Sequence, residues 1–392
     1  MAFDKTRFGG VVAPIVNPCG EDDSLDRGAL EANLTRLLAT DVAGLYINGG
    51  TGDAANLTQD ERLETAALLV PRLLAAGKLA IVHVGQTNQR QAVELARQAA
   101  ALGAHAVASI PPKKPWPQIV EYYKALAAAA AKADLKLMSF NIRYYKPGAD
   151  GDNGWVARRT ACLEMIRAES PDVIGFQEPH RPQIDYLKVN LPEYAEVDMG
   201  RDAATDIEKK PDGGEHLMIM YRRSKYILLD SGFFWISPTP ECPSRGWDAM
   251  CRRVTVWVQL KDRKTGKEVF YFDTHFDHIG KQARAESARM MVARMKRIAG
   301  EKAAVFLSGD LNTTYDNALL DPLKAWMQSA RHAAPVTDEL PTFNDFGKRS
   351  LWIDFIFARN ARALAYRTLV DSGRYGVPFL SDHNPVYALY KL

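Results

Sequence analysis

Hydrophobic patterning changes once along the chain, near residue 134, and no single layered fold accommodates both patterns. Up to about residue 133, short apolar runs alternate with amphipathic stretches. The runs GGVVAPIV, GLYINGG, LAIVHVG and AVASIPP are punctuated by Gly or Pro. Between them, 26–40, 58–75, 88–102 and 117–133 carry helical periodicity. Four βα units of this kind predict parallel strands with right-handed crossovers, a (βα)4 half-barrel. From about residue 135, strand-like runs dominate: LKLMSFNIR, DVIGFQE, HLMIMYR, VTVWVQL, VFYFDTHF, AVFLSGDLN and WIDFIFA. Only the stretches 156–169 and 281–299 read as helices. That mixture predicts packed, largely antiparallel sheets in an α/β or α+β domain. The expected domains are 1–134 and 135–392. No Pro/Gly/Ser linker separates them, and the helix ending near Lys132 runs almost directly into the strand 135–141.

A chain of 392 residues suffices for two such cores. Its 47% hydrophobic and 25% charged content is that of globular protein. No run of about 18 apolar residues is present, so no membrane span is expected. The opening MAFDKTRFGG lacks the apolar stretch of an export signal, and a cytoplasmic location is expected. Cys19, Cys162, Cys242 and Cys251 form no C-x-x-C pair. That argues against a zinc knuckle or thioredoxin-like motif and in favour of buried free thiols. A net charge of +3 does not by itself point to nucleic acid.

Chemistry is written at the ends of the apolar runs in the second domain. Asn141 ends SFN, Glu178 ends FQE, His275 and His278 stand in THFDH, and Asp310 and Asn312 in SGDLN. Asp354 stands in WIDFIF, and Asp382 and His383 in SDHNP. Placed after apolar runs, these side chains are expected at strand ends or in the loops that follow. Hydrolysis of a phosphate ester needs a cation for the phosphoryl oxygens, a base for water and donors for developing charge. Mg²⁺ takes a few oxygen ligands and keeps several waters. An imidazole paired with a carboxylate holds one tautomer and gains basicity.

These blocks, in this order, resemble the endonuclease/exonuclease/phosphatase superfamily. The resemblance implies a two-sheet α/β sandwich of deoxyribonuclease-I type with Mg²⁺ (or Mn²⁺) as cofactor. It places Glu178, Asn141 and Asp382 around the metal, with Glu178 the principal ligand. It makes His383 the general base, oriented by Asp354, and has Asp310 and Asn312 position water and phosphate. It gives His275 a hydrogen bond to the phosphoryl oxygens or the leaving group. Arg253, in CRRVTVW, matches a phosphate-binding position, and Tyr221, in MYRRSKY, matches a tyrosine that lines the site. Phe233, Phe234, Trp235 and Trp247 are either a pocket wall or core.

The first domain resembles the dihydrodipicolinate synthase/N-acetylneuraminate lyase family through GVVAPIV, Gly49-Gly50-Thr51-Gly52-Asp53, LTQDER and HVGQTN. The resemblance implies that Gly50 and Thr51 hold the carboxylate of a keto acid. A Gly-rich turn after a strand does expose N–H groups to an anion, and equally it serves as a plain βα turn. The family closes eight units and carries its Schiff-base lysine on the sixth strand, and only four units are present. Lys113 and Lys114 lie in a Pro-rich turn and are expected to be solvated, not desolvated as a Schiff-base amine must be. The chain therefore reads as a fusion with a non-catalytic half-barrel.

The leading functional expectation is a metal-dependent phosphoesterase acting on a phosphodiester or phosphomonoester. A Mg-dependent nuclease, with nucleic acid as partner, ranks second. From another class come a keto-acid-binding or association module and, last, a Schiff-base lyase in the first domain. Apolar edge strands left by an unclosed barrel invite a homodimer.

Overall fold

The computed structural model describes residues 9–130, 133–203, 213–370 and 373–392. The chain divides into two compact units, Met1–Lys132 and Ala133–Leu392. Among the described residues no helix is long and apolar enough to cross a membrane.

The first unit holds β1 (Val12–Pro14), α1 (Arg27–Leu38), β2 (Gly44–Ile47), α2 (Gln59–Ala75), β3 (Leu79–His83), α3 (Gln89–Ala101), β4 (Ala106–Ala108) and α4 (Trp116–Ala130). The four strands pair in parallel in the order β1-β2-β3-β4. Each of the first three helices starts where the sequence supplies a cap. Asp26 and Asn88 accept backbone N–H bonds at the starts of α1 and α3. The LTQDER motif forms a capping box at α2, with Thr58 and Glu61 bonding reciprocally.

The second unit holds β5 (Leu135–Asn141), α5 (Trp155–Glu169), β6 (Val173–Gln177), α6 (Arg181–Asn190), β7 (Tyr194–Gly200), β8 (His216–Arg222), β9 (Tyr226–Trp235), β10 (Val254–Asp262), β11 (Glu268–His275), α7 (Lys281–Ala299), β12 (Ala304–Asp310), β13 (Gln328–Ser329), β14 (Asp354–Arg359), β15 (Arg362–Thr368) and β16 (Val386–Lys391). Two six-stranded sheets result, β13-β14-β12-β11-β10-β9 and β15-β16-β5-β6-β8-β7. Most pairs are antiparallel, but β5–β6 and β11–β12 are parallel. The largely antiparallel sheets are those the patterning predicts, and their two-layer arrangement is the α/β sandwich that the resemblance implies.

The near-continuous apolar runs are explained by layering. On β5, Leu135 and Leu137 face the cluster between the sheets, where they meet Val256, Phe306 and Ile356. Met138 and Phe140 belong to the outer cluster with Cys162, Met165 and Ile166 of α5. Phe272, Val305 and Leu307 meet Met291 and Met295 of α7 on the far side. Strands covered on both faces lose the apolar–polar alternation. Phe234 and Trp235 are buried, Phe233 is exposed, and Trp247 is packed against the α7 cluster. Among the cysteines only Cys162 is buried. Cys19 and Cys242 are exposed and Cys251 is half-buried, so the expectation of buried thiols fails for three of the four.

Candidate active site

Sheet direction gathers the polar residues. β5 and β6 run parallel, so Asn141 stands beside Gln177 and just before Glu178. β11 and β12 also run parallel, and β14 is antiparallel to them. The register therefore aligns His275, Asp310 and Asp354 across three strands. Asp354 is thus the first residue of its strand, not one that follows it. Asp382 and His383 precede β16, which is antiparallel to β5. Ends of parallel strands and starts of antiparallel ones meet at one edge of the sandwich.

Asn141 Nδ2 donates to Glu178 Oε1 at 3.1 Å and to Asp310 Oδ2 at 3.2 Å. Its Oδ1 accepts the Arg143 N–H at 3.1 Å. Glu178 Oε2 accepts the Tyr144 N–H at 3.2 Å. His383 Nδ1 lies 2.9 Å from Asp354 Oδ2, and its Nε2 lies 3.7 Å from Asp310 Oδ2. Asn312 Nδ2 is 3.1 Å from His275 Nε2, which is 3.4 Å from Asp310 Oδ2. Asp382 pairs with Arg143 at 3.4 Å. Glu178, Arg143 and Asn312 adopt positive φ of 70°, 60° and 49°. Non-glycine residues in this region carry strain that clusters at functional sites. Gly309, with φ +144°, stands beside Asp310, and a Cβ there would strike the Thr274 carbonyl.

The electrostatics are those of crowded carboxylates. Burial and the neighbouring Asp354 push Asp310 up to about 7, against the pull of His383. Asp382 is raised by burial and by Glu178. Glu178 itself is held low despite its burial, through His383, Asn141 and Arg143. Burial works to lower His383, but Asp354, Asp310 and Asp382 lift it to about 10. His275 is driven well below its ordinary value by burial and by Arg253 and Arg201, and is therefore neutral. Asp354 Oδ1 is buried without a hydrogen-bond partner among the described residues. Surplus carboxylate and an orphaned oxygen suit a hard divalent cation. Among the described residues, three groups of side chains each bring their ligand atoms within 4.8 Å of one another: Asp310, Asp354 and His383; Glu178, Glu215 and His275; and Cys251, Asp277 and His278.

Of the sequence-derived set, Asn141, Glu178, His275, Asp310, Asn312, Asp354, Asp382 and His383 come together. Arg253 is buried just before β10, with Nη2 3.1 Å from His278 Nδ1 and Nε 3.7 Å from Asp277. Tyr221 does not join them. It pairs with Val173 at the opposite end of β6 from Gln177 and packs between the sheets, because antiparallel β8 carries its C-terminal end away from the cluster. Three contributors carry no local sequence signal. Glu215 follows a Gly-Gly pair, and Arg143 and Arg201 follow strand ends, so their roles are visible only through the partners they meet in space.

In the first unit, a separate cleft of about 610 Å³ opens beyond the carboxyl ends of the parallel strands. Gly50, Arg62, His83, Lys113 and Lys114 line it, whereas Thr51 is exposed and does not. Arg62 donates to the carbonyls of Gly85 (3.0 Å) and His83 (2.8 Å). Lys113 is exposed, as expected from its turn, whereas Lys114 is half-buried.

Residues 138–383 match the Endonuclease/Exonuclease/phosphatase family, and residues 7–145 match the Dihydrodipicolinate synthetase family. A crystal structure of an endonuclease/exonuclease/phosphatase from Bacteroides vulgatus is 34% identical. It superposes with a TM-score of 0.61 and covers 67% of this chain and 100% of its own. The mannosyl-6-phosphatase of Bacteroides thetaiotaomicron is 32% identical at a TM-score of 0.61, over 66% of this chain and 100% of its own. The 4-hydroxy-tetrahydrodipicolinate synthase of Methanothermobacter thermautotrophicus is 30% identical over 199 residues, half of this chain. The chain spans only 65% of the length of that synthase. Two domains of different ancestry are thus fused in one polypeptide.

Proposed function

Since the chain belongs to the endonuclease/exonuclease/phosphatase family through residues 138–383, we propose that it is a divalent-metal-dependent phosphoesterase acting on a small-molecule phosphomonoester or phosphodiester. The observation that carries this reading is the convergence of Glu178, Asp310, Asp354, Asp382 and His383 with Asn141 at one edge of the sandwich. Similarity at 32% identity to a mannosyl-6-phosphatase favours a phosphorylated sugar or a comparable small molecule over a polynucleotide.

Mg²⁺ or Mn²⁺, with Glu178, Asn141 and Asp382 as its ligands, would supply charge neutralisation at the phosphoryl oxygens. Asp354 fixes Nδ1 of His383, leaving Nε2 to take a proton from water. His383 serves as a base only when the field of the surrounding carboxylates is offset, since otherwise its proton is held to about pH 10. Metal requirement and base function are therefore one coupled property. Asp310 and Asn312 position water, and neutral His275 donates to a phosphoryl oxygen. Arg253, which faces His278, supplies fixed positive charge. Hydrolysis of a phosphoester panel with Mg²⁺, with Mn²⁺ and with EDTA tests the proposal, and Glu178→Gln should lose at least about 10–100-fold at ordinary Mg²⁺. Turnover undiminished in EDTA refutes it.

The first unit serves as a non-catalytic module whose open strand edges favour a homodimer, with the Gly50 turn free to hold a keto-acid carboxylate. A borohydride-reducible pyruvate adduct on this chain would overturn the non-catalytic reading.

A further inference from the structure

Next to the carboxylate cluster lies a small polar pocket of about 270 Å³ lined by three arginines, Arg201, Arg245 and Arg252, together with Asp202, Met250 and Cys251. It is too small for a whole drug-sized ligand, which takes roughly 300–1,000 Å³, but it suits one charged group of a larger molecule. Arg201 follows β7 and pairs through Nη1 with Glu215 at 2.6 Å. Glu215 in turn brings a carboxylate oxygen within 4.8 Å of ligand atoms of Glu178 and His275. On the other side, Arg252 is followed directly by Arg253. The pocket and the candidate phosphoester site are thus neighbours through two separate links.

The charges within it do not balance. Asp202 is the acid of the pocket lining, and it meets Arg252 Nη1 at 3.1 Å. Its distance from Arg201 Nε is 3.8 Å, too long for a hydrogen bond. Arg245 is exposed and has no acidic partner among the described residues. The Nε atoms of Arg201, Arg252 and Arg253 are all buried without an acceptor among those residues. Buried N–H groups left unpaired are costly, and two of the three belong to Arg201 and Arg252, whose side chains line the pocket. Guanidinium forks match the oxygens of phosphate in geometry as well as charge.

We propose that this pocket binds a second phosphate of the substrate, so that the preferred substrate is a small molecule bearing a phosphate group besides the scissile phosphoester. The inference rests on the phosphoesterase reading of the adjoining cluster and specifies its substrate. Arg245 and Arg252 hold the remote phosphate, and Arg201 links it to the reacting end through Glu215. Selectivity then arises from binding at a distance from the chemistry.

The test compares glucose 6-phosphate with glucose 1,6-bisphosphate under Mg²⁺. The wild-type chain should have a KM for the bisphosphate about 10-fold or more below that for the monophosphate. Arg245→Ala and Arg252→Gln should each raise the bisphosphate KM by a similar factor and leave kcat/KM for the monophosphate unchanged. Equal KM values in the wild type, or equal losses for both substrates in the variants, would overturn the proposal. If neither compound is hydrolysed, the phosphoesterase reading is what suffers, and calorimetry with inorganic phosphate in EDTA then decides the pocket. Binding that both variants weaken supports it, and absence of binding, or binding indifferent to both variants, refutes it.

Discussion

Asp273 and Asp310 stand on neighbouring strands, yet their surroundings differ. Asp273 is fully buried, and its Oδ1 accepts from Gln177 Nε2 at 2.7 Å and from Ser308 Oγ at 2.6 Å. Burial raises it well above 3.8, and those two bonds offset only part of the rise. Asp310 has His383 beside it and stops at about 7. A carboxyl whose folded pKa is raised contributes most below its unfolded value, and that contribution is lost as pH rises toward the folded pKa. Asp273→Asn keeps the shape and removes the titration. It should therefore be more stable than the wild type at pH 8, with the advantage shrinking toward pH 4. Urea unfolding of both proteins in EDTA at several pH values measures this, and an advantage that grows toward acid would contradict it. For the pair His383 and Asp354, His383→Ala and Asp354→Asn should each cost about 10²–10⁴-fold in kcat. The double variant should lose little more than the worse single, because residues acting as a unit are not additive. Multiplicative losses would show that the two act separately.

At the scale of elements, the sequence was most legible where a local rule sets a boundary. Helices α1, α2 and α3 begin at Asp26, Thr58 and Asn88, each a capping residue, and the Gly- and Pro-punctuated runs became β1 to β4. The site was legible because its members sit beside apolar runs. Register was not. It puts Asp354 at the start of β14 and carries Tyr221 to the far end of β8, and it depends on which strands pair. Strands β7, β9, β13, β15 and β16 carry no comparable signal: YAEVDMG and YILLDSGFFW mix polar and apolar residues without strong punctuation, and β13 is two residues long. The positive φ at Glu178 and the approach of Gly175 to Asp273 are likewise set by packing between the sheets. One boundary has a measurable anchor. Asp134, just before β5, pairs with Lys391 at 2.8 Å and Lys267 at 3.1 Å and accepts the Leu392 N–H at 3.0 Å. Burial opposes its ionisation, but these partners hold it down to about 2. Its contribution is present above about pH 3.8 and is lost as pH falls through about 2. Asp134→Asn should cost about 1–2 kcal/mol at pH 7 and almost nothing near pH 2. Unfolding at the two pH values checks the difference, and a cost that does not depend on pH would count against the ion pairs.

For the whole molecule, the two units make opposite demands. The sandwich carries its own three clusters of buried residues, whereas the four parallel strands end at β1 and β4 with no further strand beside them among the described residues. Val11 and Ile110, next to those edges, are each 70% exposed. An apolar edge of that sort pairs with another chain. The full chain should therefore be dimeric in solution, while residues 135–392 alone should be monomeric and active. Light scattering of the two decides it, and a monodisperse monomeric full chain would refute the dimer. The pairing of β5 with β16 has a consequence for biosynthesis. The strand that opens the sandwich takes its partner from the last six-residue strand of the polypeptide. Some 250 residues separate them, so at roughly 5–20 residues per second the ribosome needs about 13–50 s to deliver the second after the first. Throughout that interval the half-barrel has already emerged with its edges bare, while the phosphoesterase half still lacks an interior strand. Such exposed surface is prone to aggregate, so reliance on chaperones during synthesis is the expected consequence.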